Sequence, residues 1–463
     1  MTSARLILRG PILAPQRDGS VRFIADGLIV SGDRGRIEWV GEFAHFARPD
    51  HPELQRSRGV ICPPFFDDHI HVPQHPIRGR FMEGVGAKPP SGRLIAGLNK
   101  NVFPAESKCA DRAYAEECVR AFLEDTLAHG VVGGCAYMTV HPAATRVALE
   151  ILPPSWSVGL VAMERNCPEY LRNDLITFDR DCEQLARDFG RRFVATDRFA
   201  VAVDTELRKR VVACAEKFNL RTQTHLNEQV AEKRFVEQAL YPGTSYTEVY
   251  HRDGLLDHDA ILGHCIHMTE PELDIVAQTK STVAHCPVSN TLLASGVMPL
   301  DAIVDHGIDY AICTDVGASP TTSLLCDMAQ FLKVHAGRSR RATPSEALYR
   351  TTLAAARIMQ RDDEFGRLEV GRPFSVVEID PGDVDVAKHG ADDVIARALL
   401  GLDASELGQY RNNAALSELA TGRLDAGKEL DWLEADAAES VRRVDAKVQR
   451  VIVRGQTVWE RRA

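Results

Sequence analysis

Two kinds of hydrophobic spacing divide this chain. Near the start, apolar residues alternate with polar ones at a period of two, as in "RLILRGPILAP" (5–15) and "SVRFIADGLIVSGDRGRIEWVGE" (20–42). The same alternation returns in "RPFSVVEIDP" (372–381) and "KVQRVIVRGQTVWERR" (447–462). Such alternation, punctuated by Gly-Asp and Asp-Gly pairs, predicts short antiparallel strands. Strand-rich ends around a long middle predict one small β-sandwich domain assembled from both termini, residues 1–62 and 366–463. Within its second part, residues 401–446 are acidic and Ala-rich and read as a helical and loop excursion.

The middle, residues 63–365, follows another rhythm. Helix-period segments such as "DRAYAEECVRAFLEDTLAHG" (111–130) and "DTELRKRVVACAEKFNL" (204–220) alternate with short apolar runs: SVGLVA, RTQTH, AILGH, STVAH and DYAICTD. Strand–helix repetition at this length predicts an α/β fold with a parallel sheet, most simply a closed (β/α)8 TIM-like barrel. In such barrels reactive side chains sit at the C-terminal ends of the strands. Four of the five runs end in His or Asp: His225, His264, His285 and Asp315.

Composition narrows the class. With 44% apolar and 26% charged residues, the 463-residue chain is globular with a large core. A formal net charge of −10 argues against nucleic acid or an anionic membrane as partner. No run approaches the roughly 18 apolar residues of a membrane span, and "MTSARLILRG" lacks a signal peptide's apolar core and cleavage site. Eleven scattered cysteines without a C-x-x-C pair predict free thiols in a reducing compartment, so a cytoplasmic location is expected. Their spacing also excludes the P-C-x-x-C zinc signature of cytidine deaminases.

Against that background "PPFFDDHIHVPQHPIRG" (63–79) is unusual, an apolar run ending in two aspartates and paired histidines. His69 and His71 are two residues apart, so on a strand both imidazoles point to one face and can converge on one ion. With His225, His264 and Asp315 they form a nitrogen and oxygen set that suits Zn²⁺ or Fe²⁺ with a position open for water. On spacing alone His267 and His285 remain candidates too. Glu228, three residues past His225, opens the amphipathic segment of "THLNEQVAEKRFVEQAL" and can point at the same cavity. The plain alternative is a first-turn glutamate that complements the helix dipole.

These motifs resemble the amidohydrolase superfamily, most closely its guanine-deaminating branch, over nearly the whole chain. "DDHIHVPQ" resembles the first metal motif with its Pro-Gln, "FPAESK" (103–108) the Phe-Pro-Ala-Glu segment, and "CPEYL" (167–171) the stretch after the fourth strand. "DRFAVAVDTEL" carries an Arg-Phe pair and "THLNE" the His-x-x-Glu, while "AHCPVSN" (284–290) and "TDVGAS" (314–319) resemble the seventh- and eighth-strand motifs.

The resemblance implies one zinc per chain, with iron as the alternative, held by His69, His71, His225 and Asp315. "SVGLVAMERN" carries no lysine where binuclear relatives have a carbamylated one on the fourth strand. It implies hydrolytic deamination of guanine to xanthine and ammonia. Glu228, His264 and Asp315 are then catalytic: Glu228 protonates a ring nitrogen, His264 orients the attacking oxygen, and Asp315 moves its proton. Gln74, Arg198 and Phe199 bind the purine, together with His225, Glu228 and Asp315. A small-molecule purine is the expected partner, and a homodimer the expected assembly.

Four departures stand out: Pro64 for Gly, Asp68 for Thr beside His69, Asp197 for Pro, and an altered loop at 78–94. From them follow a negative charge beside the metal at Asp68 and an Asp197–Arg198 ion pair drawing the arginine from substrate. They also motivate an alternative substrate, another aminated heterocycle such as a pterin, triazine or modified purine. A non-catalytic scaffold is the remaining alternative, countered by the full set of candidate ligands.

Overall fold

The computed structural model describes residues 5–32, 34–47, 54–86, 92–421, 424 and 428–462. Residues 87–91 of the loop at 78–94, part of the 401–446 excursion (422, 423 and 425–427) and residues 1–4 lie outside the described residues.

Eight parallel strands form the central sheet, neighbours in chain order: β1 Phe65–His71, β2 Val131–Tyr137, β3 Trp156–Ala162, β4 Phe193–Asp197, β5 Thr222–Leu226, β6 Ile261–His264, β7 Thr282–His285 and β8 Tyr310–Ile312. Every residue of β1, β2, β3 and β4 is buried, the mark of strands covered on both faces. The seam between β8 and β1 is crossed by two backbone bonds, from His71 N–H to the Val316 carbonyl (2.8 Å) and from Asp315 N–H to the His69 carbonyl (3.0 Å). The sheet is therefore a nearly closed barrel, as the alternation of strands and helices predicted.

The helices form where period and caps agree. Arg112–Ala128 starts at Asp111, whose carboxylate accepts from the N–H groups of Ala113 (2.7 Å) and Tyr114 (3.2 Å). It buries Ala115, Cys118, Val119, Phe122 and Thr126, a 3–4 spacing on one face. Thr205–Phe218 is capped by Asp204 and stops at Asn219, which takes the left-handed conformation common at helix ends.

Both termini contribute to a second sheet. Its order is Gln456–Glu460, Val448–Val453, Val376–Ile379, Val60–Cys62, Ile7–Pro15, Val21–Ser31 and Ile37–Glu42, with Leu54–Arg56 also pairing with Ile7–Pro15. Alternation divides its side chains. Leu8, Ile12, Ile61, Val376 and Ile452 share a cluster of their own. Leu13, Val60, Cys62, Val377 and Val451 join the barrel's core.

The 401–446 region holds helices Ala404–Tyr410, Ala414–Ala420 and Lys428–Val444. They dock on barrel helix Leu324–His335, where Tyr410, Leu416, Leu419 and Leu433 pack around Val334. The buried Lys333 ammonium bridges to Asp436 (2.9 and 3.0 Å) and Ser440 (2.7 Å). All eleven cysteines are free thiols. Among the described residues no helix is long and apolar enough to cross a membrane.

Strand numbering needs correction. The run SVGLVA belongs to β3, so "CPEYL" follows the third strand, and the fourth is Phe193–Asp197. It too lacks lysine. "FAVAV" (199–203), which reads as a strand, is a buried turn in which Ala202 and Val203 donate to the Phe199 carbonyl. Five apolar residues in a row signal burial without specifying conformation.

Candidate active site

The site lies at the C-terminal ends of the strands. His69 and His71 leave β1 where its pairing with β2 slips between Asp67 and Ile70, a bulge that adds one residue to β1. His225 sits near the end of β5, and its Nδ1 donates to the Arg198 carbonyl (2.7 Å), which leaves Nε2 with a free lone pair. That Nε2 lies 3.2 Å from His71 Nε2. Asp315, brought in by the two seam bonds, places Oδ1 3.2 Å from His71 Nε2 and 3.5 Å from His69 Nε2. Its Oδ2 accepts from Ser289 Oγ (2.5 Å). Gly263 is required beside this cluster, because a Cβ there would stand 2.6 Å from the His69 ring.

One donor atom from each of His69, His71, His225 and Asp315 lies within 4.8 Å of the others. Burial holds all three imidazoles below their ordinary pKa, and neighbouring imidazoles add to this at His225. They are neutral and competent as ligands. Burial alone would raise the Asp315 carboxyl, but the surrounding histidines keep it well below the usual range. Among the described residues neither ring nitrogen of the fully buried His69 has a hydrogen-bond partner, nor has His71 Nδ1. Buried polar atoms left bare are costly unless a ligand takes them. Three neutral nitrogens and one carboxylate oxygen fit a divalent Zn²⁺ or Fe²⁺ and suit Mg²⁺ or Ca²⁺ poorly.

His264 ends β6 beside the cluster. Its Nδ1 donates to Asn290 Oδ1 (2.9 Å), and its Nε2 faces Glu228 Oε2 at 3.6 Å. His264 and Asp315 both have left-handed backbones, with φ of 71° and 56°. Such conformations cost about 1–3 kcal/mol each and persist where the surroundings impose them. Glu228 accepts from Ser295 Oγ (3.0 Å) and is 2% exposed. Burial first, then the Asp315 charge, pushes its carboxyl up to about 8, so it carries a proton at neutral pH. His267 and His285 are elsewhere: the first contacts the Ser295 carbonyl (2.8 Å), the second His335 (3.2 Å).

Gln74 and Arg198 meet on a residue the sequence reading left without a role. Glu106 is 1% exposed and accepts from Gln74 Nε2 (2.9 Å) and from Arg198 Nη1 (3.0 and 2.9 Å). Its signal was present in "FPAESK", but nothing local says which cation a glutamate will meet. Phe199 lies across from His225, with ring centroids 6.4 Å apart. Gln74, Arg198 and Phe199 line a cavity with His71, His225, Glu228, His264 and Asp315, completed by an apolar wall of Phe81, Leu94, Leu98 and Leu293. Those four had no motif to announce them. Ser289 and Asn290, which orient Asp315 and His264, were present in "AHCPVSN" without an assigned role, and Ser295, which holds Glu228, lies outside every motif.

One expectation fails here. Asp197 does not hold Arg198: it binds Arg208 Nε (2.8 Å) and accepts from Thr224 Oγ1 (3.3 Å). Successive residues of an extended segment face opposite ways, so Asp197 points to the helices while Arg198 reaches the cavity. Asp68 is fully buried without a hydrogen-bond partner among the described residues, and burial, countered only in part by Arg221, pushes its pKa well above the ordinary value. Burial therefore disfavours the negative charge expected beside the metal site.

The buried Arg208 also bridges to Asp253 (2.9 Å) and donates to the Val203 carbonyl (3.0 Å). Arg208→Met strands two buried carboxylates, so a loss of about 3–5 kcal/mol is expected. Urea unfolding of the metal-loaded variant measures it, and a change under about 1 kcal/mol would contradict this account.

The amidohydrolase family model matches residues 60–458. Guanine deaminase of Escherichia coli (strain K12) is 30% identical over 374 residues, covering 78% of this chain and 83% of its own. Among solved structures, E. coli guanine deaminase aligns with a TM-score of 0.78 at 25% identity, over 99% of this chain and 100% of that one. A C. acetobutylicum guanine deaminase with guanine bound in its active site shares the fold, with a TM-score of 0.78 at 22% identity over 98% and 100% of the two chains.

Proposed function

This chain belongs to the amidohydrolase family, and we propose that it hydrolyses guanine to xanthine and ammonia. One observation carries the reading: a cavity at which a three-histidine, one-aspartate donor set and a protonated Glu228 face Gln74 and Arg198. The similarity to proteins named guanine deaminase supports the choice of base.

A divalent metal held by His69, His71, His225 and Asp315, zinc or iron, supplies a water of lowered pKa, near about 7 in zinc hydrolases. The chain's own groups do the rest. Arg198 and Gln74 hold the O6/N7 edge of the purine, and Phe199 closes the pocket beside it. Glu228 gives its proton to N3 as the water oxygen bonds to C2. Asp315 takes the proton that the water sheds, while His264, fixed by Asn290, orients the attacking oxygen through Nε2. Asp315 then protonates the amino group, the C2–N bond breaks, and the adduct's hydroxyl proton restores Glu228 as the carbonyl forms. Each such transfer contributes typically about 10²–10⁴-fold.

The reading includes a cytoplasmic homodimer. Eleven free thiols are consistent with a reducing compartment, and the assembly follows from family resemblance.

The direct test follows loss of guanine absorbance with metal-replete protein. Turnover is expected, abolished by a chelator and restored by zinc or ferrous iron. No turnover at micromolar enzyme rejects the substrate. A pterin or triazine preferred over guanine in kcat/KM moves the reaction to another heterocycle on the same site.

A further inference from the structure

Arg198 does not face the cavity as a free cation. Helix Phe103–Ser107 brings two groups to it: the Phe103 ring, 5.2 Å from the guanidinium carbon, and the buried Glu106 carboxylate. Only Nη1 is spent on Glu106, and among the described residues Nε and Nη2 have no side-chain or backbone acceptor. The same carboxylate accepts from Gln74 Nε2, so both groups assigned to reading the base share one acceptor. The other titratable groups acting with Glu106 are His141, whose pKa is lowered by burial and raised in part by Glu106, and the Cys109 thiol.

Donating hydrogen bonds to a purine edge does not require this carboxylate. What it adds is electrical: a permanent buried charge is cancelled while its remaining donors stay available. Substrate and product differ in that property. Guanine is neutral at physiological pH, whereas xanthine loses a ring proton close to neutrality and becomes an anion. A bare guanidinium in a water-poor pocket would favour that anion strongly, because charge interactions grow as the effective dielectric falls. We infer that Glu106 sets the charge preference of the base pocket, neutralising Arg198 so that the site takes a neutral aminopurine and releases its anionic oxopurine product. The inference rests on the guanine reading above and deepens it.

The test measures binding by calorimetry to the metal-loaded protein, so it does not depend on turnover. Xanthine and hypoxanthine, which stays neutral, are compared at one pH below and one above loss of the xanthine proton. In the wild type, xanthine is expected to weaken relative to hypoxanthine as it ionises. In Glu106→Gln, the xanthine anion is expected to bind about tenfold tighter or more than in the wild type. Hypoxanthine should shift less than about threefold. Glu106→Asp keeps the charge and should keep the wild-type order.

Equal shifts for both ligands at both pH values in Glu106→Gln would show a structural role and overturn the inference. If that variant fails to retain metal, the other two proteins decide. A wild type or Glu106→Asp variant that prefers the xanthine anion to neutral xanthine overturns it equally. Guanine turnover by the wild type is scored separately: its absence rejects the substrate reading, while its presence without charge discrimination rejects only the role of Glu106.

Discussion

Replacing Asp315 with Asn is expected to lower kcat/KM for guanine by about 10⁴-fold or more and to reduce the metal bound per chain at stoichiometric supply. The substitution keeps shape and removes two functions at once. One carboxylate oxygen lies 3.2 Å from His71 Nε2 and 3.5 Å from His69 Nε2, so it completes the donor set. The other is held by Ser289 at 2.5 Å, which fixes the rotamer. An amide in that place carries no negative charge for a cation and cannot take a proton from water. A parallel Ser289→Ala substitution should cost far less, since it loosens the rotamer and leaves the charge. Metal content per chain and guanine turnover are the two readouts. An Asn variant within tenfold of wild type would show that Asp315 neither ligates nor carries the proton.

Glu228→Gln is expected to reduce kcat by about 10²–10⁴-fold with little change in KM or metal content. Its carboxyl lies outside the donor set, at 3.6 Å from His264 Nε2 and bonded to Ser295. The sign of its pH dependence follows from burial. With a pKa pushed up to about 8, the acid is protonated at neutral pH and able to donate. As pH rises through that value it ionises and loses the proton the reaction needs. Wild-type kcat/KM should therefore fall on the alkaline side, and the Gln variant should lose that limb along with most of its rate. A Gln variant with an unchanged rate, or with the same alkaline limb, would remove Glu228 from the chemistry.

Both residues were candidates before the structure because the barrel makes strand ends meaningful. Once the strand–helix alternation pointed to a barrel, His225, His264 and Asp315, at the ends of the fifth, sixth and eighth strands, were expected to lie near one axis. His69 and His71 share a face by the two-residue period alone. The same logic could not choose among histidines. His285 also ends a strand, yet its Nε2 meets His335 at 3.2 Å instead of joining the cluster. Nor could it assign partners to charges. Asp197 precedes Arg198 directly and still binds Arg208, eleven residues further on, because adjacent extended residues face opposite ways. With Asp197 occupied there, one of the features that favoured a different heterocycle loses its force.

What the sequence determined by itself was pattern: a two-residue period at the termini, helix–strand alternation between them, and which side chains could bind metal or carry protons. Those are local properties, set by the backbone repeat and by residue chemistry. Tertiary structure alone decided the pairings. It closed the seam through the His71–Val316 and Asp315–His69 backbone bonds, which brought a carboxylate from position 315 onto histidines 69 and 71. It set Glu106 between Gln74 and Arg198, and it enclosed the cavity with Phe81, Leu94, Leu98 and Leu293. Charges and apolar surfaces are not specific for a partner in sequence. They acquire one only when packing places one group within a few ångströms of another and shields both from water.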